Sequence, residues 1–363
     1  MYSIDRKSPV LVTGATGYVA GWLIKRLLES GVTVHATVRD VTAQHKLKYL
    51  NRIARTAPGT LRYFQADLLD DGSYAQAMQG CRVVFHTASP FRLQVSDPLS
   101  ELITPAVEGT RNVLNQATLT PSVERVVLTS SCAAIYGDNA DLSNLEHGMV
   151  TEESWNQSST IDHNPYSYSK TEAEKAAWCI AETQQQWTLI VMNPSLIMGP
   201  GVNPYMSSES FQIIRQMGDG TMKAGVPDWG VGVVDVRDVA EAHLSAAYTT
   251  HARGRYIISG YNTTLLEMAR QLQPTYGKHY PLPKRILPKF LVWLFGPMLN
   301  PAITRKTITQ NVGYTWKGNN TKSIGELGLK YRALSVTMND FFAQLIETEQ
   351  LGRESRVPLK GRD

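Results

Sequence analysis

The 363-residue chain is predicted to fold as a doubly wound α/β protein, a parallel sheet covered by helices with a smaller C-terminal lobe. Three observations predict this. Short β-branched runs alternate with helix-period segments through the first half of the chain, the pattern of a parallel sheet covered on both faces. A glycine-rich turn joins the first such run to the first helix. After Pro194 the alternation loosens under a series of Gly and Pro residues that runs from Gly199 to Gly232.

Each element has a local reason. Val10 to Val12 is a short apolar run. Tyr18 to Ser30 puts Leu23, Leu27 and Leu28 on one helical face, and Gly31 stops it. Val32 to Val38 reads as the second strand and Ala43 to Arg55 as a basic helix. Leu61 to Gln65 is a strand, Ser73 to Gln79 a short helix ending at Gly80, and Arg82 to His86 the fourth strand. Leu99 to Ala117 reads as a long helix that Pro105 either bends or begins. Arg125 to Leu128, Pro165 to Thr183 and Leu189 to Met192 continue as strand, helix and strand. Val233 to Ala247 is a strand entering a helix, and Tyr256 to Ile258 one more strand. From Thr264 onward helices alternate with Pro-rich turns. Residues 1–193 with 233–260 are expected to form the sheet-bearing core. Residues 194–232 and 261–350 are expected to form a lobe over the sheet's carboxyl edge, where open α/β sheets bind ligands. The polar stretch 351–363 is expected to fray.

At 42% hydrophobic and 19% charged, with a net charge of +4, the chain has an ordinary globular composition. No basic run is dense enough to suggest a nucleic-acid partner. Cys81, Cys132 and Cys179 lack CxxC spacing, and the histidines lack HxxxH or HxH pairs, so neither a disulfide framework nor a metal site is expected. Phe290 to Phe295 is the longest dense apolar stretch. It is too short for a membrane span of about 20 residues and reads as a core helix of the smaller lobe, with a hydrophobic lid or membrane-touching helix as the alternative. The charged N-terminus enters a strand at once, so no signal peptide is expected and a cytoplasmic location follows.

Thr13-Gly14-Ala15-Thr16-Gly17-Tyr18-Val19-Ala20-Gly21 lies between the first strand and the first helix. There Gly14 permits a sharp turn and Gly17 a close approach of a pyrophosphate to the helix N-terminus. Thr13, Thr16, Tyr18 and Val19 complete the candidate loop. The plainer alternative is a strand–helix turn that needs glycine for its backbone angles. Arg39, at the end of the second strand, suits a ribose 2′-phosphate, and Lys46 adds positive charge; NADP(H) is therefore expected over NAD(H). Asp40 opposes this, because a carboxylate there would take the free ribose hydroxyls. Asp67-Leu68 and Thr87-Ala88-Ser89 close the third and fourth strands at the edge where adenine and ribose would lie. Asp67 serves equally well as a helix cap.

Tyr166 and Lys170 form a YxxxK pair behind Asn164-Pro165, which suit a helix cap and first turn. The i,i+4 spacing puts both side chains on one face. Carbonyl reduction needs a hydride for carbon and a proton for oxygen. A phenol donates that proton, and a nearby ammonium is expected to lower the phenol's pKa. Tyr280 and Lys284 repeat the spacing, but Pro281 and Pro283 forbid a helix. Upstream, a buried run ends in Thr129-Ser130-Ser131. Ser131, with Ser130 in reserve, is placed to hydrogen-bond a substrate oxygen as charge grows on it; two turn-capping serines are the plainer alternative.

Taken together, TGATGYVAG, the strand ending Val38-Arg39-Asp40, the Thr129-Ser130-Ser131 strand end, YxxxK and Asn193-Pro194-Ser195 resemble the extended short-chain dehydrogenase/reductase family. His86-Thr87-Ala88-Ser89-Pro90 and Val234-Asp235-Val236-Arg237-Asp238 are similar to its branch of dihydroflavonol, cinnamoyl-CoA and aldehyde/ketone reductases. The resemblance implies a Rossmann core and a Ser131–Tyr166–Lys170 triad. In that triad Tyr166 is the proton donor and Lys170 also holds the nicotinamide ribose. It implies that Pro194, Ser195 and Ile197 line the nicotinamide, and by analogy that the chain dimerises through its long helices. The expected activity is reduction of a small or medium hydrophobic aldehyde or ketone with NADPH. The alternatives are a 3β-hydroxysteroid-type dehydrogenase, a nucleotide-sugar epimerase and a non-catalytic NADP-sensing protein. Phe91–Val95, Asp138–Asp162 and Pro204–Trp229 are expected to shape the substrate pocket.

Overall fold

The computed structural model describes residues 5–89, 96–299 and 303–351. In chain order the first half holds β1 (Val10–Val12), α1 (Tyr18–Glu29), β2 (Thr33–Val38), α2 (Gln44–Ala54), β3 (Thr60–Gln65), α3 (Ala75–Met78) and β4 (Val83–His86). Next come α4 (Thr104–Thr118), β5 (Arg125–Thr129), α5 (Pro165–Glu182) and β6 (Thr188–Pro194). Then follow β7 (Leu196–Met198), α6 (Glu209–Gly218), β8 (Val226–Pro227), β9 (Gly230–Asp235), α7 (Val236–Tyr248) and β10 (Gly254–Ile258). The chain continues through β11 (Tyr261–Thr264), α8 (Leu265–Tyr276), β12 (Ile286–Leu287), α9 (Lys289–Leu299), α10 (Arg305–Asn311), α11 (Thr321–Leu327) and α12 (Leu334–Glu347).

Seven strands form one parallel sheet in the order β10-β6-β5-β4-β1-β2-β3. The order reverses between β1 and β4, which leaves a crevice at their carboxyl ends. β1 and β4 are buried along their whole length because helices cover both faces. One covering layer is built on Leu23, Ile24, Leu27 and Leu244 from α1 and α7. The other is built on Val113, Leu114 and Ala177 from α4 and α5. α4 opens at Thr104 with Pro105 in its first turn, and a π-helical turn, Leu99–Ile103, runs into it without a break.

A three-stranded sheet, β11-β9-β7, lies apart from the large one. Its apolar residues join Phe211, Met268, Leu272, Phe341 and Phe342 of α6, α8 and α12 in a separate core. Of residues 233–260, α7 packs on the large sheet and β10 extends it, whereas β9 pairs with the small sheet. A single strand-then-helix pattern cannot show which sheet the strand joins. The reading of Phe290–Phe295 as a core helix is corrected: no residue of α9 is buried. α6, α8 and α12 already fill the lobe's core, and α9 is left outside it, resting on α10.

Candidate active site

Gly14 sits at φ +67, and a Cβ there would come within 3.0 Å of the Ala88 backbone. Only glycine fits that turn against the tip of β4. α1 then begins after Gly17 with no side chain capping its first N–H groups. That helix start borders a shallow cleft lined by Thr16, Gly17, Tyr18, Lys46 and Asn203. An uncapped helix N-terminus beside a cation is chemically suited to a pyrophosphate, so these residues fit the dinucleotide that the sequence implies.

Several side chains of this loop are committed to the protein. The Thr13 hydroxyl accepts from the Thr87 and Ala88 N–H groups at 3.1 and 3.0 Å. That leaves its proton for His86 Nδ1, 3.0 Å away. Burial, helped by the Lys170 charge, pulls His86 down to about 3. The Tyr18 hydroxyl donates to the Gly199 carbonyl, and its ring packs against Phe211. Thr13 is fully buried, with its N–H on the Phe85 carbonyl and its own carbonyl taken by the Thr87 hydroxyl, so it shapes the loop without lining the cleft. Tyr18 lines the cleft but has its hydroxyl committed, and Val19 packs into the core. Leu68 covers Gly109 and accepts from Asn112 through its carbonyl. Asp67 receives the Leu69 N–H at 2.9 Å, as a turn-capping carboxylate does.

The competition between Arg39 and Asp40 has a clear geometry. Asp40 accepts from the Thr42 N–H at 2.8 Å and the Thr42 hydroxyl at 2.6 Å, and both bonds hold its carboxyl below the usual range. Arg39 is exposed at the strand end, with no hydrogen bond or ion pair among the described residues.

Pro165 opens α5, which carries Tyr166 and Lys170 on one face. Asn164 precedes it at φ 55, but its side chain makes no capping bond. Its amide donates instead to Asp138 Oδ1 at 3.0 Å, correcting the expected cap. The Tyr166 and Ser131 hydroxyls hydrogen-bond each other. Ser131 also accepts from the Ala133 N–H at 3.1 Å, so the turn-capping alternative holds alongside the pairing. Ser130 is committed elsewhere: its hydroxyl donates to Glu174 at 2.5 Å. Lys170 is buried, and its ammonium donates to Ser89 Oγ at 2.9 Å. Desolvation pulls Lys170 down to about 8, opposed by the Glu174 charge.

One electrostatic expectation is reversed. Burial pushes the Tyr166 phenol up to about 12, against the Ser131 hydrogen bond. The Lys170 ammonium lies 6.0 Å from the ring centre and turns to Ser89, so desolvation outweighs its attraction for the phenolate.

Two buried networks were not anticipated. Glu174, one turn beyond Lys170, accepts from Ser130, from Asn193 at 2.7 Å and from Arg255 Nε at 2.6 Å. Arg255 also donates to the Glu152 and Ser154 carbonyls and lies 4.0 Å from the Trp155 ring. At the head of α5, Asp138 accepts from His163, Asn164 and Asn311. At the tip of β6, Pro194 leads into Ser195, whose hydroxyl is buried with no partner among the described residues. Ile197 is half-buried in β7. Phe91–Val95 lies outside the described residues. Asp138–Asp162 forms short 3-10 turns, and Pro204–Trp229 contains α6.

A nucleotide cleft at the strand-order reversal, with paired Ser and Tyr hydroxyls and a buried Lys at the same edge, defines the extended short-chain dehydrogenase/reductase class. Comparison bears this out: the profile of the NAD dependent epimerase/dehydratase family matches residues 10–258, and the chain belongs to that family. It is 34% identical to tetraketide alpha-pyrone reductase 1 of Arabidopsis thaliana over 94% of this chain and 96% of that one. It is 37% identical to cinnamoyl-CoA reductase CAD2 of Medicago truncatula over 76% of this chain and 83% of that one. The crystal structure of Gre2 from Candida albicans in complex with NADPH superposes with a TM-score of 0.74. It is 28% identical, over 94% of this chain and 99% of that one.

Proposed function

We propose that this chain is an NADPH-dependent reductase of small or medium hydrophobic aldehydes or ketones. The observation that carries the reading is the Ser131–Tyr166 hydroxyl pair beside Lys170, at the carboxyl edge that also bears the glycine loop. The names of the similar proteins, cinnamoyl-CoA reductase, tetraketide pyrone reductase and an NADPH-bound Gre2, support it. When bound, NADPH supplies the hydride.

The chain's own residues do the rest. The uncapped start of α1 receives the pyrophosphate, and Arg39 and Lys46 receive the 2′-phosphate. Tyr166, with a phenol pushed up to about 12, is protonated at neutral pH and gives its proton to the carbonyl oxygen. Ser131 donates a hydrogen bond to that oxygen as charge develops there. Lys170, held by Ser89 and charged below about pH 8, binds ribose hydroxyls and favours the phenolate left after proton transfer.

A screen of NADPH consumption against aldehydes, diketones, flavonols and steroids tests the reading. With a substrate found, Tyr166→Phe is expected to lower kcat by about 10²–10⁴-fold with NADPH affinity largely kept. A variant that keeps a tenth or more of the activity sinks the assignment of Tyr166.

A further inference from the structure

α9 is an 11-residue helix, too short to cross a membrane, and every residue from Phe290 to Leu299 is apolar or glycine. Phe290, Trp293, Leu294 and Met298 recur at helical spacing and are 66%, 41%, 44% and 78% exposed. The helix rests on α10 through Gly296, where an added Cβ would lie 3.1 Å from Ile308. An apolar face of this kind on a folded protein marks an interaction surface.

The charge around it says what covers it. Nine Lys and Arg residues and no Asp or Glu lie between Glu267 and Glu326, in a chain whose remaining charges are net acidic, 27 Lys and Arg against 32 Asp and Glu. Lys289 opens α9, Lys284, Arg285, Arg305 and Lys306 flank it in sequence, and all five are exposed. The Arg305 guanidinium lies 4.7 Å from the Trp293 ring, so part of this charge sits on the apolar face itself. A second copy of the chain is a poor occupant, because a two-fold contact would bring two basic collars together with no carboxylate from the same stretch of chain to offset them. We infer that α9 docks in the plane of an anionic phospholipid surface, with its aromatic and aliphatic side chains at the headgroup–acyl boundary and the five cations among the headgroups. The supporting α10 ends in Asn311, whose amide donates to Asp138, which also accepts from Asn164 at the head of α5. The docking face is thereby tied to the helix that carries Tyr166 and Lys170.

The test is co-sedimentation of the full chain with vesicles of phosphatidylcholine alone or with added phosphatidylserine. Binding to the anionic vesicles is expected, weaker by roughly tenfold or more on neutral ones and falling as salt rises. Lys284→Gln with Lys306→Gln is expected to weaken it by roughly tenfold, as is Phe290→Ser with Leu294→Ser. All four side chains are exposed, and unfolding temperatures check that the variants stay folded. Should the apolar variant fail that check, the charge variant and the salt dependence still decide the matter. No binding to anionic vesicles, equal binding to both compositions, or unchanged binding by a folded variant overturns the inference. So does a wild-type dimer that ignores vesicles and becomes monomeric in the Phe290→Ser, Leu294→Ser variant.

Discussion

Two neighbouring residues are expected to decide which nicotinamide cofactor the cleft prefers. Asp40 spends its carboxylate on the two Thr42 donors, which fold it back along the chain. Arg39 is left open to a phosphate. A charge-assisted, bidentate contact is about twice as strong as a neutral one. Arg39→Ala is therefore expected to weaken NADPH roughly tenfold to hundredfold while changing NADH little, as titration with both cofactors would show. Tighter NADH binding by the wild type would transfer the role to Asp40. The titration of Lys170 sets a second expectation. Its ammonium, pulled down to about 8, is charged at pH 7 and loses that charge as pH rises through 8. Tyr166, near 12, stays protonated across that window. The carbonyl-reducing kcat/KM is thus expected to fall on the alkaline side with an apparent pKa near 8, through loss of the Lys170 charge. A profile flat through that range would separate Lys170 from the rate.

α5 is the element whose placement matters most, and it was only half legible. Its i,i+4 Tyr–Lys face follows from local sequence, because helical spacing alone puts the two side chains together. Its anchors do not. Glu174 meets Arg255 across 81 positions, and Asp138 meets Asn311 across 173. Pairings of that range depend on the sheet order, so a linear reading sees only isolated polar residues. The choice of Ser131 over Ser130 shares this origin, since the Glu174 carboxylate that holds Ser130 lies on another element. Arg255 fixes this anchor from β10. Its side chain is 7% exposed and the Glu174 side chain fully buried, so removing the cation strands a carboxylate. Arg255→Ala is expected to cost about 3–5 kcal/mol of stability, measured by denaturant unfolding. Arg255→Ala with Glu174→Gln should recover part of that loss, because the stranded charge is gone. No recovery would mean that the lost carbonyl bonds and the Trp155 contact carry the effect.

At the scale of the molecule, the large sheet was legible because most of its strands contain a short apolar run punctuated by Gly or a polar cap, the edge strand β3 being the mixed exception. The small sheet was not, because β7, β9 and β11 are short and pair across the punctuation that hid them. The α9 segment misled for a related reason: apolar composition reports a need for cover without saying whether the protein supplies it. Burial in the large domain also sets the molecule's response to acid. His86 is held down to about 3 and His243 to about 4, chiefly by desolvation. In His243, Nδ1–H donates to the Val239 carbonyl and Nε2 accepts from Thr129, both at 2.7 Å, which matches a neutral ring. An unfolded histidine titrates near 6.5. Between about pH 6.5 and pH 4 the unfolded chain therefore binds protons at these two sites that the folded chain refuses. The unfolded state binding more protons means that stability rises with pH and is lost as pH falls. Each histidine contributes up to about 1.4 kcal/mol per pH unit within that window. Glu152, Glu209 and Asp238, raised by burial, act in the opposite sense, nearer the carboxylate range. The expected result is a fall in unfolding free energy from pH 6.5 to pH 5 that His243→Gln reduces by about half. An unchanged slope in a folded His243→Gln variant would show that its burial does not govern acid stability.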